Sequence, residues 1–274
     1  MRIILIVLIG IFGYGSRSFA QSDLLVTPIR VVFEGKKKQE GLNLVNMGKD
    51  TATFSISFIH FDMKEDGSFM AIESPNSEQM IASPYLRIFP RRVTLAPGEP
   101  QVIMLQCRRN ADMMDGEYRS HLYFRSEKNT VPLGKATSNN DTTQLSVKLT
   151  PIYGISIPII IRSGTVNVSS TLSNLEIVSP NGLTQNLKLT ITRTGNISVY
   201  GNITVQYIPR QGKPYEVATL KGIGVYTNIN KRNIIIKLNN STGKPLTDGI
   251  LRVQYTSSND TKRIVFAEAE LALP

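Results

Sequence analysis

The sequence predicts an all-β protein built from two sandwich domains. Three observations lead there. Helical periodicity is almost absent, and short β-branched and aromatic runs recur about every ten residues between turn signals. The chain has one cysteine, Cys107, so no internal disulfide is available and packed cores must supply the stability. The third observation is length, which exceeds what one small sandwich needs.

Arg2 is followed by an apolar run from Ile3 to Phe12 and by small residues at Ser18-Phe19-Ala20. This reads as a secretory signal, residues 1–20, cleaved before Gln21. A membrane anchor is the alternative, but an apolar core of about ten residues is roughly half a bilayer span. The strongest later apolar segment, Ile155 to Ile161, is short and contains Pro158. Removing the leader leaves 254 residues, which suits two domains, residues 21–162 and 163–274, joined at Arg162-Ser163-Gly164. Without Arg2 and Arg17, the 31 basic residues become 29 against 21 acidic, a net charge of +8. Apart from Lys36-Lys37-Lys38, a solvated turn beside Gly35, these charges are scattered. They decide nothing about partners.

In the first half, strands are expected at Leu25 to Phe33, Gln39 to Asn46, Ala52 to Asp62, Leu86 to Leu95, Gln101 to Cys107, Glu117 to Ser126 and Gln144 to Ile161. Glu34-Gly35, Met47-Gly48-Lys49-Asp50, Lys64-Glu65-Asp66-Gly67 and Ala96-Pro97-Gly98-Glu99 have turn compositions. Cys107 ends the apolar stretch Val102-Ile103-Met104-Leu105, which favours a small buried hydrophobe over a reactive thiol. Asp112-Met113-Met114-Asp115-Gly116-Glu117-Tyr118 looks like the tyrosine corner of immunoglobulin-like domains, and Ser120 stands where an antibody domain has its second disulfide cysteine. The polar stretch from Ser126 to Thr143 should be a mobile loop.

Beyond the joint, strands are expected at Leu172 to Val178, Leu187 to Arg193, Gly201 to Ile208, Glu216 to Gly224, Asn233 to Leu238, Gly249 to Tyr255 and Arg263 to Leu271. Asp248-Gly249-Ile250-Leu251 echoes Asp115-Gly116-Glu117-Tyr118, which suggests a second, divergent sandwich.

From Leu145 to Ile161 every odd position is apolar or Pro, while the even positions are polar at first and apolar toward the joint. At roughly 3.3 Å per residue this run would reach about 56 Å, well past an ordinary strand, so something besides its own sheet should need the length. The alternative is two strands divided by a bend at Pro151 or Gly154.

The segment Thr27-Pro28-Ile29-Arg30-Val31-Val32-Phe33-Glu34-Gly35 resembles the periplasmic chaperones of the chaperone-usher pathway, closest to the archaic branch. So do the turn Leu95-Ala96-Pro97-Gly98-Glu99, the run Gly116-Glu117-Tyr118-Arg119-Ser120-His121-Leu122 and Tyr153-Gly154-Ile155-Ser156-Ile157-Pro158. The similarity runs from about Leu24 to Arg162. It implies two immunoglobulin-like β-sandwiches in an L-shaped arrangement, a periplasmic location, and pilus subunits and an outer-membrane usher as partners. It also implies donor-strand complementation, in which the last strand of the first sandwich fills a gap in an incomplete subunit. Leu145, Val147 and Leu149 are the expected donor residues, and Arg30 matches the arginine that grips the subunit's terminal carboxylate. An ordinary surface arginine is the plain alternative for Arg30. Members outside the archaic branch pair that arginine with a lysine; aligning Pro158 to their conserved proline puts Tyr153 there instead. Arg91, Arg92 and Lys148 are the candidates to replace it.

No nucleophile elbow, HExxH, phosphate loop or metal-ligand spacing occurs, and both histidines, His60 and His121, lie in expected strands. No catalytic residue, metal, cofactor or small-molecule substrate is therefore expected. Basic and aromatic residues are not interleaved as in a nucleic-acid binder. The closer rival is a secreted pilus subunit or adhesin. Such proteins carry a free donor arm, whereas only Gln21-Ser22-Asp23 precede the first expected strand.

Overall fold

The computed structural model describes residues 24–76, 79–127, 152–179, 185–239, 246–258 and 263–274. The expected leader, Leu145, Val147 and Leu149, and all of the expected mobile loop beyond Glu127 lie outside the described residues. The strands of the first half are β1 (Leu24–Thr27), β2 (Val31–Phe33), β3 (Gln39–Asn46), β4 (Ala52–Met63), β5 (Phe69–Ile72), β6 (Leu86–Phe89), β7 (Arg92–Leu95), β8 (Pro100–Cys107), β9 (Gly116–Glu127) and β10 (Gly154–Ser163). Those of the second half are β11 (Val168–Val178), β12 (Asn186–Gly195), β13 (Val199–Pro209), β14 (Tyr215–Val225), β15 (Lys231–Lys237), β16 (Gly249–Ser257) and β17 (Val265–Ala272).

The protein is all-β, with its sheets in two sandwich-like groups. In the first group, a sheet ordered β1-β3-β8-β6 faces one ordered β2-β10-β9-β4-β5, with β7 also pairing to β4. In the second, β11-β12-β15 faces β14-β13-β16-β17. Alternation places one row of most strands inside, β5 being an exception with no buried residue. Phe33, Leu42, Leu105, Leu122 and Ile159 are buried in the first core, and Leu189, Val205, Leu251 and Tyr255 in a separate second core. Each such side chain contributes about 1.5 to 3 kcal/mol over leaving it in water. Cys107 is among the buried residues of the first core, as expected of a small hydrophobe.

Two expected strands are each broken by a proline. Leu25 to Phe33 was expected as one strand, but β1 pairs antiparallel with β3 in one sheet and β2 pairs parallel with β10 in the other. Pro28 lies between them, without an N–H to continue a ladder, and the chain crosses from sheet to sheet there. Likewise Leu86 to Leu95 divides at Pro90, with β6 on β8 and β7 on β4. The turn Lys64-Glu65-Asp66-Gly67 is present, but it leads into β5, which its composition did not reveal.

The tyrosine corner is formed: the Met114 N–H donates to the Tyr118 hydroxyl at 2.8 Å. Ser120, buried at the position of the missing cysteine, accepts the N–H groups of Ala82 at 3.1 Å and Ser83 at 2.9 Å. It ties the segment after β5 to the middle of β9 by hydrogen bonds instead of a disulfide.

Candidate functional site

The site begins with the period of β9. Tyr118, Leu122 and Phe124 point into the first core, so Glu117, Arg119 and His121 point out of the sandwich. All three are nevertheless buried, because the second sandwich covers this face. On β10 the same alternation puts Ile157, Ile159 and Ile161 in the core. Ile160, paired with Arg119, is 0% exposed yet belongs to neither core, so it is buried at the junction.

Glu117 is the hub of the junction. Its backbone N–H donates to the Asn196 carbonyl at 3.1 Å, and its carboxylate accepts the Ser198 N–H at 3.1 Å and hydroxyl at 2.8 Å. Arg119 Nη2 donates both to this carboxylate and, at 2.8 Å, to the Ser198 hydroxyl. Arg162 Nε lies 3.7 Å from Glu117, and its Nη1 pairs with Glu34 at 3.0 Å. Burial pushes the Glu117 carboxyl up, but Arg119 and the Ser198 hydrogen bonds outweigh it and hold the group below its ordinary range. Gly116 has φ +132°, and a Cβ there would lie 3.1 Å from the Asn196 carbonyl oxygen. Glycine permits both the conformation and the approach of the two backbones.

Aromatic rings complete the interface. The Arg119 guanidinium lies 3.5 Å from the Tyr226 ring centroid, and His121 stacks on the same ring at 6.2 Å. Phe61 and Phe69 close around His121 at 5.1 and 6.2 Å. Burial, then repulsion from Arg119, His60 and Arg30, lowers the His121 pKa to about 3, so the ring is neutral. A cavity of about 200 Å3 lies between Phe61, Ile72, Met80, Arg119, Tyr226 and Asn228. Arg119 Nε and Nη1 have no hydrogen-bond partner among the described residues.

Arg30 directly precedes β2, at the rim of this junction. Continuing the β2–β10 register by one residue sets it beside Pro158. Its guanidinium lies over the Tyr200 ring at 4.3 Å from the centroid. Burial and then Arg119 pull its pKa down to about 10, against the opposing pull of Glu117, Tyr226 and Tyr200, so it keeps its charge at neutral pH. No carboxylate of the described residues lies within ion-pair distance of Arg30. It is a partly desolvated cation held over an aromatic face.

Of the candidates for a second basic residue, Arg92 pairs with Glu127 at 2.7 Å on β7, across β4, β9 and β10 from Arg30, and Arg91 is exposed beside it. Lys148 lies outside the described residues. Tyr153 is remote as well, lining a small apolar cavity with Leu24, Ala52 and Phe54. The cation whose field reaches Arg30 is Arg119. Sequence reasoning singled out Arg30 but not Glu117, Arg119, Tyr200 or Tyr226. The row gave no signal of its own: Glu117, Arg119 and His121 alternate along β9, but Arg125 and Glu127 continue the same row to the exposed end of the strand.

Among the described residues no group of three or more His, Cys, Asp or Glu is placed to hold a metal ion. Fold and site together define a two-sandwich all-β protein with a charged and aromatic interdomain junction.

No protein-family model matches the chain, and no curated protein matches it in sequence. Among solved structures it is similar to the YadV chaperone, at 14% identity over 92% of this chain and 100% of that one, with a TM-score of 0.46. It is also similar to the Pseudomonas aeruginosa CupB2 chaperone, at 12% identity, 91% and 100% coverage and a TM-score of 0.43. A third is the CsuC–CsuE chaperone-tip adhesion subunit pre-assembly complex from archaic chaperone-usher Csu pili of Acinetobacter baumannii. There the identity is 14%, the coverage 92% and 99%, and the TM-score 0.44.

Proposed function

We propose that this protein is a periplasmic chaperone that binds, stabilises and delivers pilus subunits by donor-strand complementation. Residues 21–162 form the chaperone domain with its donor strand, residues 163–274 form the second domain, and the complex is handed to an outer-membrane usher. The role is stoichiometric binding and calls for no catalytic group or cofactor.

One observation carries this reading: the outer edge of β10 ends at Arg30. β2 pairs with β10 only from Ile159 to Ile161, so among the described residues the edge from Gly154 to Pro158 has no strand partner. A partner strand laid along that edge would continue the line of β2 and bring its end to a guanidinium that has no ion pair among the described residues. Backbone hydrogen bonds would supply affinity, and a bidentate carboxylate contact would fix where the strand stops. Leu145, Val147 and Leu149, on the segment leading into β10, are the proposed donor side chains. Burying each in a subunit would contribute about 1.5 to 3 kcal/mol. An incomplete subunit, left with an open edge and an open core, would aggregate without them.

The test compares six variants in co-expression with a pilus subunit. Asp at 145, 147 or 149 should destroy subunit recovery, because it buries an unpaired carboxylate. Asp at Ser146, Lys148 or Thr150 should be tolerated much better, because side chains alternate. Equal losses in the two rows, or unfolding of the free odd-row variants, would rule out strand donation.

A further inference from the structure

The β4–β5 hairpin makes its own contacts with the second sandwich, separate from those at the covalent joint. Where β4 enters the turn, Asn228 of the second sandwich accepts the Met63 N–H at 3.3 Å and donates to the Met63 carbonyl at 2.9 Å, using both ends of its amide. At its turn, the Asn233 N–H donates to the Glu65 carbonyl at 2.7 Å. Gly67 has φ +85°, and a Cβ there would collide with the Arg232 guanidinium, so the turn and the second sandwich touch. On the return strand, Phe69 packs on Tyr226 with ring centroids 5.5 Å apart.

These contacts converge on one segment of the second sandwich, Tyr226 to Asn233, which leads from β14 into β15. Tyr226 follows Val225, and Val225 and Gly224 are the β14 partners of Val199 and Tyr200 on β13. Fixing Tyr226 and Asn228 therefore fixes the start of β13, which carries the ring beneath Arg30. We propose that the β4–β5 hairpin is a positioning strut that, through Asn228 and Tyr226, keeps Tyr200 seated on Arg30 and so presents that guanidinium in one orientation. This rests on the reading of Arg30 as the partner's anchor. Asn228, Phe69 and Tyr200 are positioning residues that act through Arg30. Without the strut, the Glu117 hub and the joint would hold the two sandwiches along one side only, and the Arg30–Tyr200 stack would open and close.

The test uses the whole chain, with two readouts on Asn228→Ala. The first is the side-chain Nε–H resonance of Arg30 in a 15N spectrum, which a ring beneath it shifts upfield. The second is recovery of a co-expressed pilus subunit. Asn228→Ala should move the resonance toward its free-arginine position and lower subunit recovery about tenfold, the scale of two lost hydrogen bonds. Amide spectra of both cores should stay unchanged. Phe69→Ala, at a residue 51% exposed and so tolerant of change, should produce the same displacement in smaller degree, and serves alone if Asn228→Ala does not fold. An unshifted Arg30 resonance in the folded variant would overturn the strut, as would a shifted resonance with undiminished recovery while Arg30→Ala abolishes it. Full recovery with Arg30→Ala would instead overturn the anchor reading itself, whatever the resonance does.

Discussion

The Arg30 guanidinium lies over the Tyr200 ring, 4.3 Å from its centroid, and joins the first sandwich to the second at the point where the open edge of β10 ends. The ring restricts the arginine without consuming its in-plane donors, which have no ion pair among the described residues and suit a planar anion.

Replacing Arg30 by Ala should lower subunit affinity by about 2 to 5 kcal/mol, the cost of removing one member of a desolvated charged contact. Arg30→Lys should recover only part of it, because an ammonium neither stacks nor forks. Both variants should unfold at the wild-type urea concentration, since Arg30 belongs to neither core. Full subunit binding by Arg30→Ala would move the anchor elsewhere.

Glu117→Gln should destabilise the protein by about 3 to 5 kcal/mol, because it leaves Arg119 buried without its counter-charge. Acid should act in the same direction. The folded pKa of Glu117 lies below its unfolded value, so its contribution is complete above the unfolded pKa and is lost as pH falls through the folded one. Urea unfolding of wild type and variant should therefore begin to converge as pH falls below the unfolded carboxylate value of about 4.3 and meet only below the folded pKa. Parallel curves down to pH 2 would show that Glu117 is not the acid-sensitive group.

His121 carries a second pH dependence with a higher window. Its folded pKa of about 3 lies under the ordinary value of 6.5, so protons bind preferentially to the unfolded chain between those limits. Stability should be full above pH 6.5 and fall toward pH 3 by as much as about 1.4 kcal/mol per unit. His121→Phe, among Phe61, Phe69 and Tyr226, should stay folded and show a shallower decline over that range. An unchanged slope in the variant would assign the decline to other groups.

Cys107 should resist iodoacetamide in the native protein at pH 8 and react at once in denaturant. It is buried in the first core, and burial raises its thiol pKa against the opposing pull of Arg109. Rapid alkylation of the folded chain would contradict that placement.

What the sequence determined by itself was set by local rules. Alternation of apolar residues and turn chemistry placed Gln39 to Asn46 to the residue, and Ala52 to Asp62 and Glu117 to Ser126 to within one residue at each end. Tyr118 declared its corner and Cys107 its burial, because each depends on neighbours close in the chain. Only the tertiary structure decided which edges meet. The prolines at 28 and 90 divide strands between sheets, and whether a proline bends a strand or sends it to another sheet depends on the partners available. The junction is more distant still: Glu117 meets Ser198 across 81 residues and Met63 meets Asn228 across 165. Such pairs leave no periodic trace, because a strand's outer face reads the same in sequence whether water or another domain covers it. Packing of the second sandwich made Glu117, Arg119 and His121 buried residues, and the low dielectric it imposes gives their charges their consequence.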